Sequence, residues 1–341
     1  MSTIVKEWMS LKLVEETTMG DSSGGRRPII LTLDGKAGYC IAIDIGARRL
    51  GLILTDLNNE IISRQSIPIS RQAFSHVYQQ IYLAIDKLIR DIPPCPYGLI
   101  GISLAVRGII DLDGVIRFIP KLQWHNIDIK SLLEQRYHVP VYIDNDGNLA
   151  ASMESRLHPQ YEELTVLCIT DVISCGMISN GQLIRGYLGF ANAVGHHTIN
   201  IQETKQCSCG KFGCWEQYCS DQYLIDEMNL HLETPLEDID EFIELVRKQN
   251  PTALGILDTY IRNLAIGLSN IIFFVNCEMI ILNSHLIQSL PYLMPEIMKD
   301  IVLPITHTQE ILISTLGNEA PILGASLKAI EEFFEILSAH G

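Results

Sequence analysis

Positive charge is scarce in this chain. Its 341 residues carry 25 Lys and Arg against 40 Asp and Glu, a formal net charge of −15. An acidic surface repels a polyanion, so a broad nucleic-acid-binding face is excluded and only a local reading element could remain. An unbroken apolar run is also missing. The most apolar stretch, residues 264–282, is interrupted by Asn270, Asn276 and Glu278, whereas a spanning helix needs about 20 mostly apolar residues. It reads as a buried helix followed by a buried strand, and no membrane segment is expected. Met1 leads straight into Lys6, Glu7 and Lys12, without the apolar core of a secretory signal. Repeats of solenoid period and low-complexity tracts are absent too. The nine cysteines cannot all pair, and three of them cluster, which suits metal binding in a reducing compartment better than disulfides. A cytoplasmic protein is expected.

The apolar content of 47% is ample for packed cores, and the length asks for two or three lobes. Residues 1–14 place Ile4, Trp8 and Leu11 at helical spacing, predicting an amphipathic helix. A turn-rich stretch, Gly20–Gly25, then lies between two short extended runs, which reads as a hairpin. A helix followed by a glycine-tipped hairpin is similar to the last part of a winged helix-turn-helix, and equally to an ordinary N-terminal helix and hairpin. From Tyr39 onward, buried strands (YCIAIDIG, LIGISLAV, VPVYIDND, EMIILNS) alternate with helical segments at 73–90, 147–156, 220–248, 252–275 and the C-terminus. That alternation predicts an α/β fold.

The strongest local signal is Gly195-His196, then Cys207-Ser-Cys209-Gly210-Lys-Phe-Gly213-Cys214-Trp-Glu216. Three thiolates and an imidazole are the donor set of tetrahedral Zn2+. Gly210 and Gly213 allow the tight turns that bring the sulfurs together. No ligand position is left open, so the metal is expected to be structural. His197 rivals His196 as the nitrogen donor, and Cys219 reads as core.

Those residues carry a family resemblance. The pattern GH-x10-CxCGxxGCxE, with IAIDIG, SLAVRGIID, IDNDGN and LGNEAPILGASLKA, resembles the ROK family of bacterial sugar kinases and sugar-responsive repressors. The segment GDSSGGRRPIILTL resembles its xylose-repressor-like branch. The resemblance implies a two-lobed actin-like, ribonuclease-H-like fold preceded by a truncated winged-helix remnant. The expected domains are the remnant at 1–36, a first lobe at 37–146 plus 320–341, and a second lobe at 147–319 with the zinc site and a homodimer surface. By the same resemblance, Asn145, Asp146, His196 and Glu216 match sugar contacts, with Asp146 as a fossil general base. Asp146 also reads as a cap of the helix 147–156.

Departures from the family pattern shape the functional expectation. The three phosphate loops are degenerate. The first keeps Asp44 and Gly46 but continues Ala47-Arg48, the second keeps only Gly176 and carries Asp171, and the third reads Asn283-Ser284. A sugar-contacting Glu aligns with Ala193 and an Asn with Lys121. A hydroxyl left facing Ala193 loses a charged acceptor worth about 1.5–3 kcal/mol. These losses predict that the chain is not an enzyme and that sugar binding is weak or absent. In the resemblance, residues 1–14 match a recognition helix cut at Met1 without its bracing helices. Residues 1–36 have five basic against five acidic side chains, so specific DNA binding is not expected. A misassigned or trimmed start is the alternative explanation, and it restores DNA binding. The pattern of losses implies a regulator acting through protein contact. With its retained zinc motif, the chain resembles antirepressors of methicillin-resistance genes within the family, and that resemblance implies binding to a transcriptional repressor and relief of its repression. Ile4, Trp8, Leu11, Arg26 and Arg27 are the expected partner-binding residues. The alternative is a sugar-responsive DNA-binding repressor, and a sugar kinase is more remote.

Overall fold

A computed structural model describes residues 8–17, 30–301 and 310–340. Fifteen strands follow in chain order among them: β1 Val14–Thr17, β2 Ile30–Leu33, β3 Tyr39–Ile45, β4 Arg49–Asp56, β5 Ile61–Pro68, β6 Leu99–Val106, β7 Ile109–Ile110, β8 Ile116–Ile119, β9 Trp124–Ile127, β10 Val141–Asn145, β11 Leu164–Ile169, β12 Ile173–Ser179, β13 Gln182–Leu183, β14 Met279–Ser284 and β15 Glu310–Ile313. The chain divides into two compact units. The first comprises residues 1–105, 128–143 and 325–341, the second 106–127 and 144–324. These boundaries differ from the expected 37–146 plus 320–341 and 147–319, in that the chain after β6 forms the separate sheet β7-β8-β9, which groups with the second unit.

The first unit is built on a five-stranded sheet of order β10-β6-β3-β4-β5. β3 is buried along nearly its whole length, as a central strand rich in Ile must be when both faces are covered. β5 pairs antiparallel with β4 at the sheet's edge, and its side chains alternate between partly buried and exposed. The helix Phe74–Arg90 buries Val77, Ile81, Ala84, Ile85 and Leu88, a spacing that makes a single apolar face. Lys87 and Arg90 lie in its last turn, where cations complement the helix dipole.

At the N-terminus β1 and β2 pair antiparallel, Val14 opposite Leu33, so the hairpin is present. The helix expected over 1–14 is corrected at its end. Helical backbone stops at Ser10, and Lys12 takes a left-handed φ of 56°. The cause is Leu13, which must enter the core, where it is 1% exposed. Trp8 stacks on Phe334 with ring centroids 6.0 Å apart, and the Tyr97 hydroxyl donates to the Leu11 carbonyl at 2.9 Å. Ile4, Arg26 and Arg27 lie outside the described residues.

The second unit has a five-stranded sheet of order β13-β12-β11-β14-β15. β11 and β12 are antiparallel, while β11, β14 and β15 run parallel. Numbered by appearance within its own unit, each sheet reads 3-2-1-4-5, the same topology twice. The expected helix 220–248 is two helices, Asp221–Asn229 and Ile239–Arg247, parted by a segment containing Pro235. Pro251 starts the helix Pro251–Val275, whose N-cap Asn250 accepts from the Thr252 and Ala253 amides. Around this helix packs the largest described core, including Trp215, Tyr260 and Phe242. No helix among the described residues is long and apolar enough to cross a membrane.

Candidate functional site

Two features of the second unit adjoin each other, a sulfur–nitrogen cluster and a pocket. The loop after β13 supplies His196, and a pair of tight turns supplies Cys207, Cys209 and Cys214. One ligand atom from each lies within 4.8 Å of all the others. Cys209 Sγ is 3.6 Å from Cys214 Sγ, and Cys207 Sγ is 3.7 Å from His196 Nδ1. With Zn–S bonds of about 2.3 Å a tetrahedron has edges near 3.7 Å, so these two pairs sit near the spacing a tetrahedral ion asks of its donors. Gly213 has φ +70°, and a Cβ there would meet the Asn200 carbonyl oxygen at 1.8 Å, so only glycine permits this turn. Burial pushes the Cys214 thiol up to about 11 and raises the Cys207 thiol too. A bound cation reverses that preference by exchanging protons for the metal.

The rivalry between the two histidines is settled by packing. His197 stacks on Trp215, centroids 5.3 Å apart and planes 14° from parallel, and burial lowers its pKa. His196 is the one that faces the thiols. Cys219 lies apart in the core, its thiol donating toward the Tyr260 carbonyl.

The pocket is lined by Arg107, Asn145, Ser174, Ala193, His196 and Glu216, among others. Glu216 joins it to the cluster. Its Oε1 accepts from Cys207 Sγ at 3.1 Å and lies 3.6 Å from His196 Nδ1. Asn145 is committed at both ends of its amide. Nδ2 donates to the Gly108 carbonyl at 3.0 Å, and Oδ1 accepts from the Gly147 amide at 2.9 Å. The cap of the following helix, Asp146–Leu157, is therefore Asn145, a correction to the cap role expected of Asp146. Asp146 is the first helical residue, where the helix dipole favours a carboxylate. It is fully buried, accepting from Ser174 Oγ at 2.8 Å with Arg107 Nε 3.8 Å away, and it is not part of the pocket wall. The expected four sugar contacts thus separate into three that line the pocket and one behind it.

Arg107 is the residue that sequence reasoning missed. It lies between Asp146 and Asp171, 3.8 Å from each. Its signal was a lone cation at the end of an apolar strand, in Leu104-Ala-Val-Arg107. Asp221 was missed as well. It is buried without a hydrogen-bond partner at Oδ1, and burial, with Asp171 nearby, pushes its carboxyl up to about 8.

The degenerate loops have structural employment. In the second, Thr170 and Asp171 close a turn, with Thr170 N–H donating to Val172 O. Gly176 survives for a packing reason, because a Cβ there would meet the Gly147 carbonyl oxygen at 2.1 Å. In the third, Ser284 caps the helix His285–Ser289 by accepting from Ile287 N–H. In the first unit, Gly46 follows Asp44 into the β3–β4 turn and donates to Arg49 O at 3.0 Å. Lys121 lines a neighbouring polar recess with Asp171 and Glu216.

Comparison with known proteins follows the same lines. The model of the ROK family matches residues 40–332. A xylose repressor of Bacillus spizizenii is 36% identical over 343 residues, covering 99% of this chain and 88% of that protein. A glucokinase of Halalkalibacterium halodurans is 26% identical over 307 residues, 84% of this chain and 93% of that protein. Among solved structures, a ROK-family transcriptional regulator described as a homologue of the E. coli MLC protein superposes with a TM-score of 0.79 at 20% identity, over 98% of this chain and 89% of that one. The expectation that the chain is not an enzyme does not stand. A relative spanning most of this chain is a glucokinase, so the degenerate loops do not by themselves separate regulator from kinase.

Proposed function

The chain belongs to the ROK family, in its xylose-repressor-like branch, and from that premise we propose that it is a sugar-responsive transcriptional regulator. The observation that carries this reading is the contact of Glu216 with the cysteine–histidine cluster from the wall of the ligand pocket. A neutral polyhydroxylated ligand needs a few fixed polar groups in a largely preformed recess. His196, Glu216 and the hydrogen-bonded pair Gly108 and Asn145 line such a recess, and Ala193 leaves room without an extra charge. The repressors similar to this chain along nearly its full length are named for xylose, so an aldopentose is the first ligand to try.

The ligand set His196, Cys207, Cys209 and Cys214 would hold one Zn2+. When bound, the metal supplies a crosslink. It would pin the loop carrying His196 to the segment carrying Glu216, so that both pocket residues are held before a ligand arrives. Relatives named as repressors favour sugar response over the expected antirepressor of resistance genes.

The test is a gel-shift titration against DNA upstream of the chain's own gene, with and without D-xylose. Binding to a discrete site that D-xylose weakens or strengthens is the expected result. A chain that ignores DNA and D-xylose but strips another repressor from its operator would overturn the proposal in favour of the antirepressor.

A further inference from the structure

Of the nine cysteines, seven are buried and two, Cys95 and Cys209, are partly exposed. Cys209 has a second sulfur beside it, Cys214 Sγ at 3.6 Å. A disulfide bond is about 2.05 Å long, so these sulfurs need to close by only about 1.5 Å. The span between them is Gly210-Lys211-Phe212-Gly213, which puts a glycine next to each cysteine. The space beside Gly210 is open, since a Cβ there would meet nothing within 4 Å. A small oxidant therefore has a way to Cys209. Cys207, by contrast, is buried, and its thiol donates to Glu216 Oε1.

We propose that Cys209 and Cys214 are a peroxide-oxidisable pair, whose disulfide dismantles the metal-binding cluster and loosens the ligand pocket. Metal ligation calls for thiolates, and the thiolate is also the nucleophile toward a hydroperoxide. The Cys209 thiolate attacks the terminal oxygen of the hydroperoxide, the O–O bond breaks, and a sulfenic acid forms. The Cys214 thiolate then attacks the sulfenic sulfur, the S–S bond forms, and the S–O bond breaks. Each oxygen leaves as hydroxide or alkoxide and takes a proton from solvent. Two electrons thus pass from the sulfur pair to the peroxide. Two of the four ligand positions are withdrawn, and His196 and Cys207 alone do not complete a tetrahedral site. His196 and Glu216 line the pocket, at the two ends of a loop with little regular structure. Without the metal crosslink neither is held in place. The disulfide and the loss of metal stand by themselves, whereas their effect on the pocket rests on the sugar-regulator reading.

The test treats the full chain, loaded with Zn2+, with a few equivalents of hydrogen peroxide. Wild type and Cys95→Ser are compared. A chromogenic chelator reads zinc release, and peptide mapping reads the disulfide. Both proteins are expected to release their zinc and to yield a Cys209–Cys214 crosslink, and dithiothreitol with added Zn2+ should restore the site. D-xylose affinity, measured by calorimetry, should fall about tenfold or more on oxidation, the scale of losing groups that orient a site. Zinc retained under peroxide overturns the proposal, as does a chain that takes up no zinc. So does a crosslink through Cys207, a release that requires Cys95, or an oxidation that dithiothreitol does not reverse. An oxidised chain that loses zinc but binds D-xylose as tightly as before overturns the link to the pocket. If the untreated chain binds no D-xylose, the sugar reading is what fails, and faster amide exchange across 196–216 after oxidation still decides the switch.

Discussion

At the scale of single residues, the second unit holds a carboxyl group largely withdrawn from water. Asp221 begins the helix Asp221–Asn229 and is buried, and desolvation, with the charge of Asp171 adding to it, raises its pKa from 3.8 to about 8. The folded state therefore holds this proton more tightly than the unfolded chain does. Its contribution to stability is complete below pH 3.8 and is lost as pH rises through about 8. Asn is the neutral isostere and escapes this loss, which accrues between pH 3.8 and about 8, so Asp221→Asn should already melt above the wild type near pH 6 and by a larger margin at pH 9. Thermal melts at both pH values check this, and equal melting temperatures at pH 9 would refute the buried-acid reading. Gly176→Ala is expected to cost about 1–3 kcal/mol, because its methyl would press into the Gly147 carbonyl. Urea unfolding of the variant measures that cost, and a neutral result would return Gly176 to a purely vestigial role. Neither effect was legible in the sequence, since burial at Asp221 and close approach at Gly176 are both made by residues distant along the chain. The sequence did place Asn145 and Asp146 at a helix start. Both are good capping residues, and only the Gly108 carbonyl and Ser174 decide which one caps and which one is buried.

At the scale of elements, the metal loop was the most legible part, because its ligands lie close in the chain and the glycines announce its turns. Choosing His196 over His197 needed Trp215, whose indole is fixed from the far side by donating to the Asn263 carbonyl at 3.0 Å. The N-terminal helix was over-extended for a complementary reason. Apolar periodicity continues through Leu11, but burial of Leu13 turns the backbone first. The loop from 196 to 216 has little regular structure, only the short bridges Thr198–Cys214 and Gln206–Phe212, so the metal should supply much of its order. Cys207→Ser is expected to lower zinc content to well below one ion per chain and to speed amide exchange across 196–216, leaving β3 and β4 protected. Elemental analysis with hydrogen exchange reads both. Unchanged exchange in a metal-free protein would mean that the loop holds itself.

At the scale of the whole molecule, the α/β class followed from the alternation of buried strands and amphipathic helices. The twofold use of one 3-2-1-4-5 sheet topology did not, because a topology is set by which strands pair and not by residue pattern. The charge imbalance was legible from composition and has a consequence for both stability and binding. With an isoelectric point of about 5.1, the folded chain repels itself at neutral pH, and salt screens that repulsion over a Debye length of about 10 Å at 0.1 M. Raising salt from low to moderate concentration should therefore increase the melting temperature at pH 7.5 and have little effect near pH 5, where the net charge vanishes. Binding to DNA responds with the opposite sign, since each phosphate contact releases counterions and weakens with salt. Melting curves and gel shifts over one salt series separate the two effects. If operator binding instead strengthened with salt alongside the melting temperature, the contact would not be made to phosphates, and the regulator would have to reach its operator through another protein.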